Sequence, residues 1–464
     1  MREPDGRTQS PDLDRRIPAF LRDPAIAEIL PVSGCFASNP RAGAALHATH
    51  WPDFRQATAV DVRATYMLVA RHPSGALSFH DCQAPSLPTA STAHQLGPFN
   101  VPANIINGLA DAIVVKLVDP IADTAIDLAE AAIWRALGQK PGLFQFIPKW
   151  PAGFCQKPAG RTLKAGPSGR ALLFLHGTFS TTQGSFGALA EGSFFDHIRP
   201  LYGDAIYGFD HFSVSRCPAQ NAVDLLACLP DDAPPFDVIA FSRGGLVLRH
   251  LAERSTSLAH GHRFKLGHAV LTATPNQGTP LATPGRWAET LGWITNILDL
   301  FPPNPITSNG AMLARWLTWF VKIGVKAADG LDAMNQQTAL INPQPASLSL
   351  NARHYSALVS NFEPDRGLWA RAADLGMDTF FNKPNDLVVP TAGGWQLNQS
   401  LDALPASQIG MFGPGGNIKS HQNPVPHTGF FGLPASQAFI IRALQRTAQT
   451  LPPLNPHQLR IPAV

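Results

Sequence analysis

The sequence predicts an α/β protein with a mostly parallel central sheet. From about residue 165 onward, short apolar runs alternate with helix-like segments, which is the pattern of parallel strands joined by crossover helices. The 43 prolines and 38 glycines interrupt the chain often, and they favour many short elements over a helical bundle. Residues 1–165 are predicted to form an amino-terminal α+β extension, and residues 166–464 to form the main domain.

The composition is that of a globular protein with a large core. Hydrophobic residues make up 45% of the 464 residues and charged residues 15%, with a net charge of +3. This balance excludes a disordered chain and argues against a nucleic-acid partner. The amino terminus lacks the apolar stretch of a secretory signal, so we expect a cytoplasmic location. No apolar segment is long and uninterrupted enough to predict a membrane span.

The cysteines do not indicate a disulfide scaffold or a metal site. They are odd in number, scattered and without CxxC spacing, which is typical of buried thiols. We therefore predict no metal ion and no cofactor. The five positions are Cys35, Cys82, Cys155, Cys217 and Cys228.

The amino-terminal region contains three predicted features. Residues 1–30 have the character of a polar arm with a short helix. Residues 57–81 contain two β-rich runs on either side of a Pro-Ser-Gly turn at 73–75, which predicts a hairpin. The stretch 101–137 is predicted to be helical, with a break at Pro120.

The main domain alternates predicted strands and helices. The closing helix begins with a proline, which the first turn of a helix tolerates. The predicted strands lie in "RALLFLHGTFS" (170–180), "DAIYGFDHF" (204–212), "FDVIAF" (236–241), "HAVLTATPNQGTPLA" (268–282), "HYSALVSNFEP" (354–364) and "SQIGMF" (407–412), and the predicted helices in "NAVDLLACL" (221–229) and "PASQAFIIRALQRTA" (434–448).

Ser242 lies where a predicted strand turns sharply into a predicted helix. The apolar run 236–241 precedes it, and Gly244 and Gly245 follow it. Small residues around a serine at such a turn are typical of a nucleophile elbow, which holds the hydroxyl out at the carboxyl edge of a sheet. Ala240 stands where the G-x-S-x-G pattern has its first glycine. The alternative is a serine that caps an ordinary helix.

A serine nucleophile needs a base, and the base needs a carboxylate that orients it. Asp386, in "NKPNDLVVPT", is the predicted acid, with Asp378 in reserve; a turn or capping aspartate is the alternative. His427, in "SHQNPVPHTGFF", is the preferred base over His421. The order Ser, Asp, His is the order found in α/β-hydrolases.

From about residue 165 to the end, the sequence resembles the lipase-like branch of the α/β-hydrolase superfamily, and in particular a poorly characterised bacterial group. The motifs that carry this resemblance are "LLFLHGTFS", "GFDHFSVS", "FSRGGLV", "TATPNQGTPLA" and "NDLVVP". It implies an α/β-hydrolase fold and a serine hydrolase with Ser242, Asp386 and His427 as its catalytic triad. Ala240 and Phe241 depart from the usual pattern.

The "LFLHGTFS" segment supplies candidate donors for an oxyanion. In lipases, the backbone N–H after a similar His-Gly pair points at the oxyanion together with the N–H of the residue after the nucleophile. In this sequence the two residues are Thr178 and Arg243. An ordinary glycine turn is the alternative.

An apolar insertion at about 283–335 is predicted to form a helical cap over Ser242. It contains four tryptophans, whose rings must be covered by protein or by an apolar ligand. The alternative is that these rings only extend the core. The predicted substrate-binding residues are Phe179, Phe241, Trp287 and Trp293.

These residues predict a carboxylic-ester hydrolase that acts on apolar esters through an acyl-enzyme. An acyltransferase or thioesterase with the same triad is one alternative, and a non-catalytic module that binds lipid or protein is another. The predicted partner is an apolar ester substrate, and a peripheral contact with lipid is compatible with it. The sequence does not indicate an oligomeric state.

Overall fold

The structure is a computed structural model that describes most of the main domain and parts of the amino-terminal region. The residues described are 26–31, 66–72, 76–82, 93–96, 99–102, 111–117, 130–131, 134–135, 138–148, 154–254, 257–282, 290, 292–293, 329–335, 354–363, 366, 383–397, 404–418 and 425–445.

The amino-terminal region contains two small antiparallel sheets. One has four strands in the order β1-β6-β2-β3, and the other is the pair β4-β5. The β2-β3 pairing confirms the predicted hairpin. The strands are β1 (Ile26–Pro31), β2 (Tyr66–Arg71), β3 (Leu77–Cys82), β4 (Ala93–Leu96), β5 (Phe99–Pro102) and β6 (Asp111–Leu117).

One prediction for this region is wrong, and residues 1–25 of the predicted polar arm lie outside the described residues. Strand β1 occupies the end of the predicted polar arm, and β5 and β6 occupy much of the first predicted helix. β6 contains three consecutive β-branched residues, 113–115, and pairs with β1 on one side and β2 on the other. Partner strands on both sides stabilise the extended form of a run that is apolar enough for a helix.

The main sheet has eight strands in the order β14-β13-β12-β11-β9-β10-β7-β8. The six strands β9 to β14 run parallel, while β7 pairs antiparallel with both β10 and β8. The strands are β7 (Gly142–Pro148), β8 (Phe154–Pro158), β9 (Ala171–Leu175), β10 (Ile206–Asp210), β11 (Phe236–Phe241), β12 (Leu266–Thr272), β13 (Tyr355–Ser360) and β14 (Ile409–Phe412).

The helices with described bounds follow the predicted alternation. The predicted helix 221–229 overlaps α3, which begins three residues earlier and ends one residue earlier, and the predicted closing helix is α6. The helices are α1 (Thr182–Phe186), α2 (Phe194–Tyr202), α3 (Pro218–Cys228), α4 (Gly244–Arg254), α5 (Asp329–Asp332) and α6 (Pro434–Gln445). No helix within the described ranges is long and apolar enough to cross a membrane.

The core lies on both faces of the main sheet. Along β9, Ala171, Leu173 and Leu175 face one cluster while Leu172 and Phe174 face the other. This alternation is the two-residue period of a strand that is buried on both sides. Residues of α3 and α4 cover the first face, and residues of α2 and α6 cover the second. The sheet with its two helical layers is an α/β-hydrolase fold, as the sequence predicted.

The main sheet begins before the predicted domain boundary at residue 165. Strands β7 and β8 lie within 142–158, in the stretch that the sequence assigns to the amino-terminal extension. The division into domains at 165 stays a prediction, and the sheet itself crosses it.

Candidate active site

Ser242 follows β11 in a strained turn. Its φ is 52°, which an L-residue with a side chain rarely adopts. Its N–H donates to the Thr272 carbonyl over 2.8 Å, and this bond extends the β11-β12 pairing by one residue. The turn is tight because Gly244 passes against β9, where a Cβ would lie 2.2 Å from the Leu175 carbonyl oxygen.

The structure brings the three predicted site residues together in one hydrogen-bonded series. The Ser242 Oγ lies 3.0 Å from His427 Nε2, and His427 Nδ1 lies 2.8 Å from an Asp386 carboxylate oxygen. The sequence separations are 185 and 41 residues. All three side chains are buried, with exposed fractions of 6% for Ser242, 3% for Asp386 and 7% for His427.

Asp386 lies in a turn that is fixed beside the carboxyl end of β13. Its Oδ1 accepts the N–H groups of Val388 at 3.0 Å and Val389 at 2.7 Å, which leaves Oδ2 for His427. Asn385 and Pro390 form an isolated β-bridge that closes the turn. The carboxylate therefore holds its own turn and faces the imidazole at the same time.

His427 is held by its backbone as well as its ring. Its N–H donates to the Asp386 carbonyl oxygen over 2.8 Å, so the two segments are joined twice. The Phe241 ring packs against the imidazole with 5.0 Å between centroids, and Phe431 meets Phe241 edge to face at 5.5 Å. Phe241 thus limits the rotation of the base from one side.

The His-Gly turn after β9 lies directly against Ser242. A Cβ at Gly177 would come 3.0 Å from the Ser242 Cβ and 3.2 Å from Phe241. His176 accepts the His211 N–H at Nε2, so its Nδ1 carries the proton and donates to the Gly177 carbonyl over 2.8 Å. These bonds fix the segment that continues into Thr178.

Two buried histidines stack beneath this turn. The His176 and His211 rings lie 4.0 Å apart between centroids. Burial lowers the pKa of His176 to about 4, against the opposing field of Asp210. Burial also lowers the pKa of His211 well below its usual value, and the neighbouring His176 lowers it further. Both imidazoles are therefore neutral at physiological pH.

The Arg243 side chain is fully buried in the protein and is bound by three protein acceptors. Its Nε donates to the Gly330 carbonyl over 3.1 Å, and its Nη2 donates to Asn221 Oδ1 over 2.9 Å and to the Arg216 carbonyl. Burial lowers the pKa of Arg243 to about 10, opposed by the charge of Glu130. The guanidinium remains charged at physiological pH and serves the protein's own backbone.

The other predicted site residues have mixed placements. Phe179 is buried and has a φ of 55°. Thr178 Oγ1 donates to Met334 Sδ over 3.6 Å, which places the end of the insertion against the His-Gly turn. Trp293 is fully buried and its indole N–H donates to the Leu387 carbonyl over 2.8 Å, so its described contact supports the Asp386 turn. A place for it in a substrate pocket stays a prediction.

Several predictions lie outside the described residues. They are Trp287, Asp378, His421 and most of the predicted cap. Within the described ranges, no group of three or more His, Cys, Asp or Glu side chains could hold a metal ion. Cys217 and Cys228 are free thiols.

Backbone strain concentrates next to the site. The non-glycine residues with positive φ include Ser242 itself, Phe179 after Thr178, and Leu387 after Asp386 with φ 80°. Strained residues persist only where their surroundings hold them, and they are frequent at functional sites.

Sequence reasoning missed Glu130 as a residue near the site. The structure places its carboxylate against the backbone of residues 213–215, behind Arg243. A single glutamate among alanines in "LAEAAIW" is typical of an ordinary helix surface, so the pattern contains no signal for this contact.

Three comparisons place the chain among known proteins. A family model described as "Domain of unknown function (DUF7379)" matches residues 148–445, which is more than half of the chain. A search of curated proteins finds no match.

The structural neighbours include two lipases and a thioesterase domain. Lipase BlEst2 of Bacillus licheniformis has a TM-score of 0.36 and 16% identity, over 63% of this chain and 97% of that one. Lipase 1 from Pelosinus fermentans has a TM-score of 0.39 and 12% identity, over 61% of this chain and 99% of that one. The Vlm2 thioesterase domain has a TM-score of 0.31 and 11% identity, over 67% of this chain and 99% of that one. With TM-scores below 0.5, these likenesses carry no argument about activity.

Proposed function

The chain belongs to this family of unknown function, DUF7379, and we propose that it is a serine hydrolase that cleaves carboxylic esters of apolar substrates. The observation that supports the proposal best is the hydrogen-bonded series from Ser242 Oγ through His427 to Asp386, with distances of 3.0 and 2.8 Å. A hydroxyl, an imidazole and a carboxylate in this order form the arrangement that activates a serine nucleophile.

The proposed reaction has two halves that use the same groups. Ser242 Oγ attacks the ester carbonyl carbon while its proton passes to His427 Nε2. The tetrahedral intermediate expels the alcohol oxygen, which takes that proton and leaves an acyl group on Ser242. A water molecule then attacks the acyl carbon, gives its proton to Nε2, and the acid leaves as Ser242 recovers its proton. Asp386 orients the imidazole and stabilises its charged form.

The backbone N–H groups of Thr178 and Arg243 are the proposed oxyanion donors. In the part of the chain that the structure describes, neither N–H donates to another protein group. Both belong to segments that meet at the Ser242 turn, because Gly177 lies against Ser242 and Arg243 follows it. An oxyanion donor typically contributes about 3 kcal/mol to transition-state stabilisation.

The preference for apolar esters is supported by the side chains near the nucleophile. Phe241 and Phe431 lie on the imidazole side of Ser242, and Phe179 and Met334 lie by the Thr178 side. Such side chains favour an acyl chain over a charged group, because a charge beside them would lose its hydration.

Labelling with a fluorophosphonate probe tests the proposed nucleophile. We expect the folded protein to form an adduct that Ser242→Ala abolishes. Ser356→Ala is the matched control, because Ser356 is a second buried serine hydrogen-bonded to a histidine, His268, over 3.0 Å. This control should retain full labelling. A folded wild-type protein that does not label would contradict the proposal and favour a non-catalytic binding module.

Hydrolysis of p-nitrophenyl esters of increasing acyl length tests the proposed substrate class. We expect kcat/KM to rise from acetate to medium-length chains and fall for a charged acyl group such as succinate. A rate that is highest for short or charged acyl groups would contradict the apolar preference. Adding thioesters and alcohol acceptors to the assay separates ester hydrolysis from thioester cleavage and from acyl transfer.

A further inference from the structure

A buried carboxylate from the amino-terminal region organises the turn that follows β10. Glu130 is fully buried and accepts the N–H groups of Ser213 at 2.9 Å, Val214 at 3.2 Å and Ser215 at 2.7 Å. Three consecutive donors that converge on one point need an acceptor there, because a buried N–H without a partner is costly. We name residues 213–216 the glutamate-bound turn.

The glutamate-bound turn contacts the segments of both proposed oxyanion donors. The Ser213 Oγ accepts the N–H of Phe179 over 3.0 Å, and Phe179 directly follows Thr178. At the other end of the turn, the carbonyl of Arg216 accepts a hydrogen bond from the Arg243 guanidinium. One short segment is therefore hydrogen-bonded both to the residue after Thr178 and to the Arg243 side chain.

The last part of the insertion adds a second link between the turn and Arg243. The Gly330 N–H donates to the Val214 carbonyl over 2.9 Å, and the Gly330 carbonyl accepts from Arg243 Nε over 3.1 Å. Arg243 is thus fixed to the glutamate-bound turn both directly and through α5.

A second residue of the amino-terminal region, Trp134, contacts residues next to the glutamate-bound turn and next to Thr178. Trp134 lies four residues after Glu130 in helical conformation and is buried. Its ring meets Phe212 edge to face at 5.4 Å and lies 6.2 Å from the His176 imidazole. Phe212 precedes the glutamate-bound turn, and His176 begins the His-Gly-Thr segment. Glu130 therefore supports the glutamate-bound turn, and Trp134 supports both the residue before that turn and the His-Gly-Thr segment.

We propose that Glu130 is a positioning residue for the oxyanion donors, which it holds in register through the glutamate-bound turn. This inference rests on the proposed function. It assigns a task to the amino-terminal region, which supplies the acceptor that the main domain lacks at residues 213–215. Glu130 does not touch the substrate, so its effect is on the rate of the chemical step more than on substrate affinity.

The charges around the turn agree with this role. Burial raises the pKa of Glu130, and the hydrogen bonds from the 213–215 backbone oppose that rise by favouring the carboxylate. The same carboxylate raises the pKa of Arg243 against the effect of burial. Replacing Glu130 by glutamine keeps its shape but sets an N–H₂ group against backbone donors.

The experiment compares kcat, KM and thermal stability for Glu130→Gln and the wild type on a p-nitrophenyl ester. Rates are expressed per active site, with sites counted by exhaustive fluorophosphonate labelling of Ser242. We expect kcat of Glu130→Gln to fall about 10- to 100-fold because a small displacement of a donor has effects of this size. We expect KM to change by less than about threefold, since the contacts with the acyl chain are untouched.

Asp237→Asn is the matched control. Asp237 is also a fully buried carboxylate that accepts a backbone N–H, from His268 over 2.7 Å, but it lies at the opposite end of β11 from Ser242. We expect this variant to lose thermal stability while its kcat per active site stays within about twofold. A kcat that falls equally in both variants would show a general structural effect and overturn the proposal.

Ser213→Ala provides a milder test that leaves Glu130 in place. It removes the hydroxyl that accepts the Phe179 N–H, and we expect kcat to fall about 3- to 10-fold with KM unchanged. If Glu130→Gln does not fold, this variant decides the question. An unchanged kcat per active site in a labelled, folded variant overturns the positioning role alone. Absence of labelling and turnover in the wild type overturns the proposed function and this inference together.

Discussion

Strand β11 begins and ends in a buried cluster, and the two clusters contain similar residues. At its amino-terminal end, Asp237 pairs with Arg170 at 2.7 Å and accepts hydrogen bonds from the Tyr202 hydroxyl at 2.6 Å and the His268 N–H at 2.7 Å. Past its carboxyl-terminal end, Asp386 accepts two backbone N–H groups and faces His427. Both ends also have packed aromatic rings, Phe236 on one side and Phe241 on the other.

The two clusters differ in what the carboxylate faces and in the backbone around it. Asp237 faces a guanidinium and a phenol, which keep their protons at physiological pH. Asp386 faces an imidazole, which can accept and return a proton under the same conditions. The pairing of β11 with β12 shifts register between Phe236 and Val238 at its beginning, whereas the positive φ lies at Ser242, past its end. A buried carboxylate therefore does not by itself mark a reactive site.

Replacing each aspartate by asparagine is expected to separate the two ends most clearly. Asp386→Asn should lower kcat by about 10⁴-fold, because an amide favours the wrong imidazole tautomer. Asp237→Asn should lower the free energy of unfolding by about 3 kcal/mol, since it leaves Arg170 without its buried charge partner. Steady-state kinetics and urea denaturation of both variants test this. Equal loss of kcat in the two variants would remove the distinction.

Adding a methyl group at the glycine near each end gives the next largest contrast. In Gly244→Ala, the Cβ would lie 2.2 Å from the Leu175 carbonyl oxygen, which belongs to the sheet backbone and cannot move aside. In Gly267→Ala, it would lie 2.3 Å from an Asp237 carboxylate oxygen, which can shift with its side chain. We expect kcat of Gly244→Ala to fall by more than about 100-fold, because the Ser242 turn is displaced.

For Gly267→Ala we expect a loss of about 1–3 kcal/mol in the free energy of unfolding and an unchanged kcat per active site. Active-site labelling corrects both variants for any unfolded fraction. An active Gly244→Ala variant would mean that the tight packing of the elbow is not needed for the chemistry.

The sequence predicted the carboxyl end of β11 better than the amino-terminal region, for a physical reason. Parallel strands have their carboxyl ends at one edge, so the chain order of Ser242, Asp386 and His427 already implied their meeting. Local patterns also identified the strands of the main domain from β9 onward. In β6, a seven-residue segment with five apolar residues was compatible with either a helix or a strand, and its pairing with β1 and β2 decided between them.

Contacts between residues far apart in the chain could not be predicted from the sequence, for a different reason. Glu130 meets Ser213 across 83 residues, and no period or motif in the sequence connects them. The burial of Arg243 has no signal in the sequence either, because charged residues on helices usually face solvent. Its burial depends on carbonyl groups of residues 216 and 330 that come together only in the folded chain. Such contacts follow from tertiary structure alone.

The pH dependence of stability gives a smaller contrast between the two ends. His250 lies in α4, directly after the elbow, and burial followed by nearby arginines lowers its pKa to about 4. Between pH 6.5 and 4 the unfolded chain binds a proton at this site that the folded chain does not. The stabilising contribution is therefore fully present above pH 6.5 and is lost as the pH falls, by up to about 3 kcal/mol.

Urea denaturation between pH 7 and 5 should show this loss, and His250→Leu should reduce the slope of stability against pH. His262→Gln is the control, because His262 is a largely exposed residue before β12, with 66% of its side chain accessible. This control should leave the slope unchanged. A slope that His250→Leu does not alter would show that other groups cause the pH dependence.

Truncating the aromatic ring at each end is expected to have the smallest effect. Phe241→Leu removes the ring that packs 5.0 Å from the His427 imidazole, so the base gains rotational freedom and kcat should fall about 3- to 10-fold. Phe264→Leu removes the ring stacked on Phe236 at 5.9 Å, and it should cost about 1 kcal/mol of stability without changing kcat. Kinetics and thermal unfolding of both variants distinguish the outcomes. If Phe241→Leu changed only stability, Phe241 would be packing for the core at this end of β11, as Phe236 is at the other.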